Sequence, residues 1–314
     1  MSKYNFSNSP VHKTRASLIL WAWSLGLLLL WSSPAAAEPV LLTSGSAQVS
    51  VSTPDAKKLA PQSVLDTLAQ QDVVYLGETH DRAADHRAQL DILQALQKRS
   101  SGSRKQAIAL EMFQRPYQVA LDRYLAGSIS EPDLQRLSEY EKRWGYPWDY
   151  YAPILRFAKE QSLPLIALNT PSEVTRKVAR LGLQSLTPAE RQYIPPLSEI
   201  RTDSNAYRER MRQIYEEIHH SKTNSRQFET FFQAQVLWDE TMADRISHFL
   251  NDNPTAQIIV LVGQGHLIYG DGIPSRVARR QGKDLKQSVV LINPPEDLQS
   301  ETNPPAADYF WNQP

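Results

Sequence analysis

The sequence predicts an α/β protein: a mostly parallel central sheet with helices on both faces and a helical insertion acting as lid. Three observations predict it. Five short apolar runs are continuous rather than alternating, which is the pattern of strands covered on both faces. Helical patterns separate the runs. Each run stops at a glycine or a polar residue, namely Gly77, Glu111, Asn169, Gly263 and Asn293.

Residues 1–37 read as a signal peptide. Lys3, His12, Lys13 and Arg15 make a basic start, Ala16 to Trp31 is almost unbroken apolar sequence, and Ala35-Ala36-Ala37 offers a cleavage site. The apolar run is short for a span of about 20 residues. Cleaved or retained as an anchor, this leader places residues 38–314 outside the cytoplasm, in the periplasm or beyond. Residues 38–60 are poor in large apolar side chains and read as a flexible lead-in with one short strand, Ala47–Val51.

The domain is expected over 61–300. Pro61–Gln70 reads as a helix, and Val73–Leu76 as the first strand, closed by Gly77. A helix over Asp81–Arg99 carries Leu90, Leu93, Ala95 and Leu96 near helical spacing. Ala107–Leu110 is the second strand, and helices follow at Tyr117–Leu125 and Glu131–Tyr140. Leu163–Leu168 is the third strand, stopped by Pro171. The insertion, about 171–250, holds helices at Leu186–Tyr193, Asn205–His219 and Arg226–Leu250. Ile258–Val262 and Ser288–Ile292 are the fourth and fifth strands. The tail, 301–314, is polar except for Tyr309-Phe310-Trp311, which should pack back on the domain.

Composition excludes several classes of chemistry. The chain has 34 basic and 34 acidic residues, but Lys3, Lys13 and Arg15 lie in the leader, which has no acid; removing these 3 leaves 31 against 34, a net −3. No electrostatic footprint for nucleic acid results. The absence of cysteine rules out a disulfide framework, thiolate metal sites, a cysteine nucleophile and a Cys-anchored lipoprotein. An exported chain without disulfides needs a core large enough to stand alone.

In open parallel sheets, ligands bind at the C-terminal ends of the strands. The first four strands deliver Glu78 and His80, Glu111, Asn169, and Gln264 and His266 to that edge. In Gly77-Glu78-Thr79-His80-Asp81 the glycine permits a sharp turn and Thr79 or Asp81 can cap the next helix. Gly263-Gln264-Gly265-His266 is the matching piece. It is too short and wrongly spaced for a phosphate-binding loop. Six residues apart on a helix, His80 and His86 would not share a face, so Asp85 and His86 read as solvated. On the long helix Gln235, Asp239 and Met242 share one face, while Glu240, Asp244 and His248 form a second line of ordinary surface type. His219-His220 reads as favourable charge at a helix C-terminus. The dense run Trp144–Tyr151 suits either packing under a loop or the aromatic wall of a flat ligand's site, and haem iron accepts Tyr or His. No nucleophile elbow, HExxH helix or Walker loop is present.

Taken in order, Gly77-Glu78-Thr79-His80-Asp81, Leu110-Glu111-Met112-Phe113, Trp148 through Pro153, Leu163-Pro164 to Asn169, Gln235 to Ala243, and Gly263-Gln264-Gly265-His266 resemble the ChaN-like haem-binding uptake proteins of the Tiki superfamily. That superfamily also holds metal-dependent proteases and erythromycin-esterase-type hydrolases. The resemblance covers roughly Val64 to Ile292. It implies an extracytoplasmic haem-binding protein for haem or iron uptake, with haem bound in a homodimer and outer-membrane uptake components as partners. The candidate haem-binding residues are His80, Tyr150, Tyr151, Asn169, Asp239 and His266. The resemblance also implies that Glu78, His80, Glu111 and His266 line one pocket. In the alternative, a hydrolase, those four would hold a divalent metal or act as acid and base on water. Lacking the N-terminal cysteine of some members, this chain is expected to be soluble after cleavage, or tethered by its leader.

Overall fold

The computed structural model describes residues 49–100, 104–218, 224–299 and 304–314. The predicted signal peptide, most of the lead-in and His219-His220 lie outside them. Among the described residues no helix is long and apolar enough to cross a membrane.

The described residues form an eight-stranded sheet with helices on both faces. Its strands are β1 (Ser50–Ser52), β2 (Lys58–Leu59), β3 (Val73–Glu78), β4 (Gln106–Gln114), β5 (Leu165–Asn169), β6 (Gln257–Gly263), β7 (Gln287–Ile292) and β8 (Tyr309–Asn312). They lie in the order β2-β1-β8-β7-β3-β6-β4-β5. From β8 to β5 every pairing is parallel, whereas β1 joins β8 and β2 antiparallel. The tail aromatics thus do more than pack back: Tyr309–Trp311 pair with Val290–Ile292 and become part of the sheet.

Because successive strand residues point to opposite faces, each continuous apolar run feeds two cores. Val74, Leu76, Ile108, Leu110, Ile259 and Leu261 face one side. There they meet α1 (Pro61–Leu68), α2 (Ala83–Ser100), α3 (Gln118–Leu125), α4 (Glu131–Leu137) and α6 (Trp148–Glu160), with the short α5 (Tyr140–Arg143) between the last two. Val73, Tyr75, Ala107, Ala109, Ile258 and Val260 face the other side. They pack on α10 (Ile273–Gln281) and on the C-terminal half of α9 (Ser225–Asp252). The edge strand β5 presents unpaired backbone groups, a liability for any sheet. The Gln118 side chain covers them, donating to Leu165 O at 2.7 Å and accepting from Ala167 N at 2.8 Å.

A third core holds the insertion. Val174 and Val178 of α7 (Ser172–Leu181), Tyr207 and Met211 of α8 (Asn205–Ile218), and Phe228, Phe232 and Val236 of α9 pack together. Helix α9 belongs to both bodies: its first half builds the insertion, and Met242, Ala243 and Ile246 pack on the sheet. The insertion is therefore joined to the sheet by one continuous helix rather than by a linker. Several sequence readings change, and α7 and α10 fall where the sequence predicts no element. Leu186–Tyr193 contains one short 3₁₀ turn, Ala189–Tyr193, instead of an α-helix. Trp148–Glu160, not read as an element, is a helix that carries Pro153 inside it.

Candidate functional site

Strands β3, β6, β4 and β5 are neighbours, so their C-terminal ends form one edge. The residues that follow them converge into a row in which carboxylates and imidazoles alternate. Asp239 Oδ1 lies 2.6 Å from His266 Nδ1, and His266 Nε2 lies 3.4 Å from Glu111 Oε1. His80 Nε2 is 4.0 Å from Glu111 Oε2, and His80 Nδ1 is 2.8 Å from Glu78 Oε1. His86 Nδ1 ends the row, 3.5 Å from Glu78 Oε2.

Each member is fixed from behind. Glu78 is fully buried and accepts from Tyr151 Oη at 2.6 Å and from Gln89 Nε2 at 2.7 Å. Glu111 accepts from the Gly263 amide at 2.8 Å. Asp239 accepts from Tyr207 Oη at 2.5 Å. Carboxylates only accept hydrogen bonds, so His266 Nδ1 against Asp239 and His80 Nδ1 against Glu78 are the donors. The ionisations follow. Burial works to neutralise His266, but the Glu111 charge and the Asp239 hydrogen bond outweigh it and push its pKa up to about 10. His80 is likewise opposed by burial and raised by Glu111 and Glu78. Burial would raise Glu111 and Glu78; the neighbouring histidines hold both below the ordinary carboxylate value.

Asp85 and His86, read from sequence as solvated, are buried. Helix α2 starts at Ala83, so His80 lies before it and the helical-angle comparison does not apply. His86 Nε2 instead reaches back to the His80 carbonyl at 3.0 Å. Asp85 accepts from Thr79 N at 2.8 Å and from Asn293 Nδ2 at 2.7 Å, tying the β3 turn to the end of β7. Burial raises its pKa to about 6. The overlooked signal was spacing: Asp85, Gln89, Ile92 and Leu96 fall on the face of α2 that turns inward.

The remaining candidates separate. Tyr151 is buried with its hydroxyl spent on Glu78. Tyr150 stacks on His86, ring centroids 5.0 Å apart. Neither lines the cavity described below. Asn169 holds the edge together, donating to Glu111 O and accepting from Thr170 N. The second line on α9 is no ligand set: Glu240 is buried under Arg279, Arg280 and Arg276, while Asp244 pairs with Arg115 and His248. For Glu78, His80, Glu111 and His266 as metal ligands, the donor atoms point at one another along a line instead of at a common centre. Among the described residues no group of three or more His, Asp or Glu side chains is disposed to hold a metal ion.

The row opens on a cavity of about 370 Å³ between the sheet edge, α5, α7 and α9. His80, Glu111 and His266 form its floor, Trp144, Tyr146, Phe231 and Trp238 its aromatic walls, and Thr170, Thr175, Lys142, Arg143 and Arg176 its polar end. His80 is held in place by Trp144 edge-on at 4.8 Å and Tyr146 at 5.1 Å. This size and lining suit a flat, largely apolar ligand with a few polar anchors.

Gly263 lets His80 come this close. A methyl group at 263 would lie 2.7 Å from His80 Nε2. Gly263→Ala should therefore displace the ring from Glu111 and lower the His80 pKa toward that of free imidazole. An NMR titration of the imidazole signals reads this, and an unchanged His80 titration would contradict the placement.

The sheet and its edge pocket define a class, the open α/β proteins that bind at strand ends. The comparisons give the family. The model of the haem-binding uptake family ChaN, in the Tiki superfamily, matches residues 64–277, and the chain belongs to that family. Protein RETICULATA-RELATED 5, chloroplastic, of Arabidopsis thaliana is 30% identical over 263 residues, 79% of this chain. The chain spans about a third of that relative's length, 35%. The structure of ChaN of Campylobacter jejuni with cofacially bound haem superposes with a TM-score of 0.66 at 20% identity, covering 85% of this chain and 97% of the other. It shows the same fold. An erythromycin esterase in its open conformation matches only at a TM-score of 0.45, with 16% identity over 77% of this chain and 76% of its own.

Proposed function

We propose that the protein binds haem in the strand-edge cavity and serves in haem or iron uptake or handling, as an exported protein. The observation that carries this reading is the aromatic-walled cavity itself, in a chain of this family. The residues fit the group in kind. A porphyrin needs apolar flat walls, which Trp144, Tyr146, Phe231 and Trp238 supply. Haem iron accepts His or Tyr, and the cavity wall offers His80 and Tyr146. His266 fits less well, because its nitrogens lie 2.6 and 3.4 Å from carboxylates, whereas His80 Nε2 stands 4.0 Å from Glu111. The basic leader, Lys3 to Arg15, supports export. Binding as a homodimer, and hand-over with outer-membrane components, extend the same reading.

A haemin titration followed at the Soret band tests it. The wild type should give a saturable shift, and Trp144→Ala, which removes one wall, should weaken binding about tenfold or more. No saturable shift would overturn the reading.

One observation keeps hydrolysis as a second reading: His80 and Glu111 face the same cavity 4.0 Å apart. A neutral imidazole is needed for a general base, however, and both His80 and His266 are held toward the protonated form. Ester or peptide turnover abolished in His80→Ala would favour this reading over the first.

A further inference from the structure

The polar end of the cavity has no task in the ionic row. Thr170 and Thr175 are buried, 1% and 4% exposed, yet among the described residues their Oγ1 atoms have no hydrogen-bond partner. Both line the cavity. Buried hydroxyls are ordinarily satisfied, so two orphans on one wall mark where a ligand atom belongs. They flank the start of α7, a ten-residue helix preceded by Pro171 with no side-chain cap. The start of a helix is the positive end of its dipole, while the α7 amides are already taken: Ser172 N donates to Gln114 Oε1, and Val174 N and Thr175 N donate to the Pro171 carbonyl. Ser172, Thr175, Arg176 and Ala179, spaced as one helix face, all line the cavity, and Lys142 and Arg143 approach from α5. Arg143 is partly neutralised by Glu139 and Glu173, so the added positive charge comes chiefly from Arg176 and Lys142.

We propose that this end of the cavity is an anion subsite that receives the carboxylate groups of the ligand. Resting on the haem reading, it orients the flat molecule: acid edge to Thr170, Thr175 and Arg176, ring between Trp144 and Trp238. The hydroxyls donate, the helix dipole and the cations add electrostatic attraction, and the ring keeps to the apolar walls. The ligand class is a planar tetrapyrrole carrying free carboxylates. Its esters, which keep the ring and lose the charge, are excluded as equal ligands.

The test compares haemin with haemin dimethyl ester on the purified full-length protein. Haemin should bind at least about tenfold tighter than the ester. In Thr175→Val and in Arg176→Glu the haemin affinity should fall toward that of the ester while ester affinity stays put, which also shows that the variants are folded. Metal-free protoporphyrin should keep the same preference for the diacid over its dimethyl ester, since the subsite reads the acid edge and not the metal. Equal affinity of acid and ester in the wild type overturns the subsite alone and leaves haem binding standing. Binding of inorganic phosphate or acetate in competition, with no effect of esterification, also overturns it, assigning the hydroxyls to a free anion. Absence of any Soret shift with either form overturns the subsite together with the haem reading.

Discussion

Glu78→Ala should destabilise the protein more than any other single change in the ionic row. The carboxylate is fully buried and serves Tyr151, Gln89, His80 and His86 at once. Truncation leaves a buried phenol, an amide and two imidazoles without their shared acceptor. Removing one partner of a buried ionic arrangement costs about 3–5 kcal/mol, which in a domain of this size lowers the melting temperature by on the order of 10 °C. Glu78→Gln should recover part of it, since the amide oxygen still accepts. A thermal melt of the three proteins reads the series. Equal melting temperatures would show that the Glu78 cluster holds nothing together. The pH dependence has a fixed sign. The Glu78 and Glu111 carboxyls are held below their ordinary value. Their contribution is full above the unfolded value, about 4.3, and is lost as pH falls through the folded one.

Asp239→Asn is expected to cost about 1.5–3 kcal/mol at neutral pH, the range for a hydrogen bond to a charged group. It should also change the alkaline limb of stability. Asp239 bridges Tyr207 of the insertion to His266 at the sheet edge. With its folded pKa raised to about 10, protonated His266 contributes stability that is full below the unfolded value near 6.5. That contribution declines as pH rises through the folded value. Wild-type melting temperature should therefore fall between pH 6.5 and 10, and the fall should be shallower in Asp239→Asn, whose His266 titrates lower. Parallel alkaline limbs for the two proteins would show that Asp239 does not hold the imidazolium. Because Asp239 ties insertion to sheet, the variant should also loosen the cavity wall carrying Gln235 and Trp238.

Much of the fold was legible because the sheet is parallel. Covered strands have to be continuous apolar runs, and their ends are punctuated by Gly77, Gly263 and Pro171. Once the strands are placed, adjacency of their ends brings Glu78, His80, Glu111 and His266 together without further information. What escaped depends on long-range packing. Tyr150 and Tyr151 are neighbours in sequence, but adjacent helical residues point about 100° apart. Only the docking of α6 shows that Tyr151 turns inward to Glu78 while Tyr150 lies outside on His86. Helix α6 itself was hidden by Pro147 and Pro153, which ordinarily end helices. Asp85 and His86 look solvated because a buried polar face and an exposed one have the same composition. Thr170 and Thr175 carry no motif at all, and it is the missing partners that single them out.

The most direct measurement is a crystal structure of the protein grown with haemin. Haem density is expected within the cavity, the ring against Trp144 and Trp238, its carboxylates at Thr170, Thr175 and Arg176, and its iron on the side of His80 and Tyr146. Haem bound to a surface away from these residues, with the cavity still holding only solvent, would contradict the assignment.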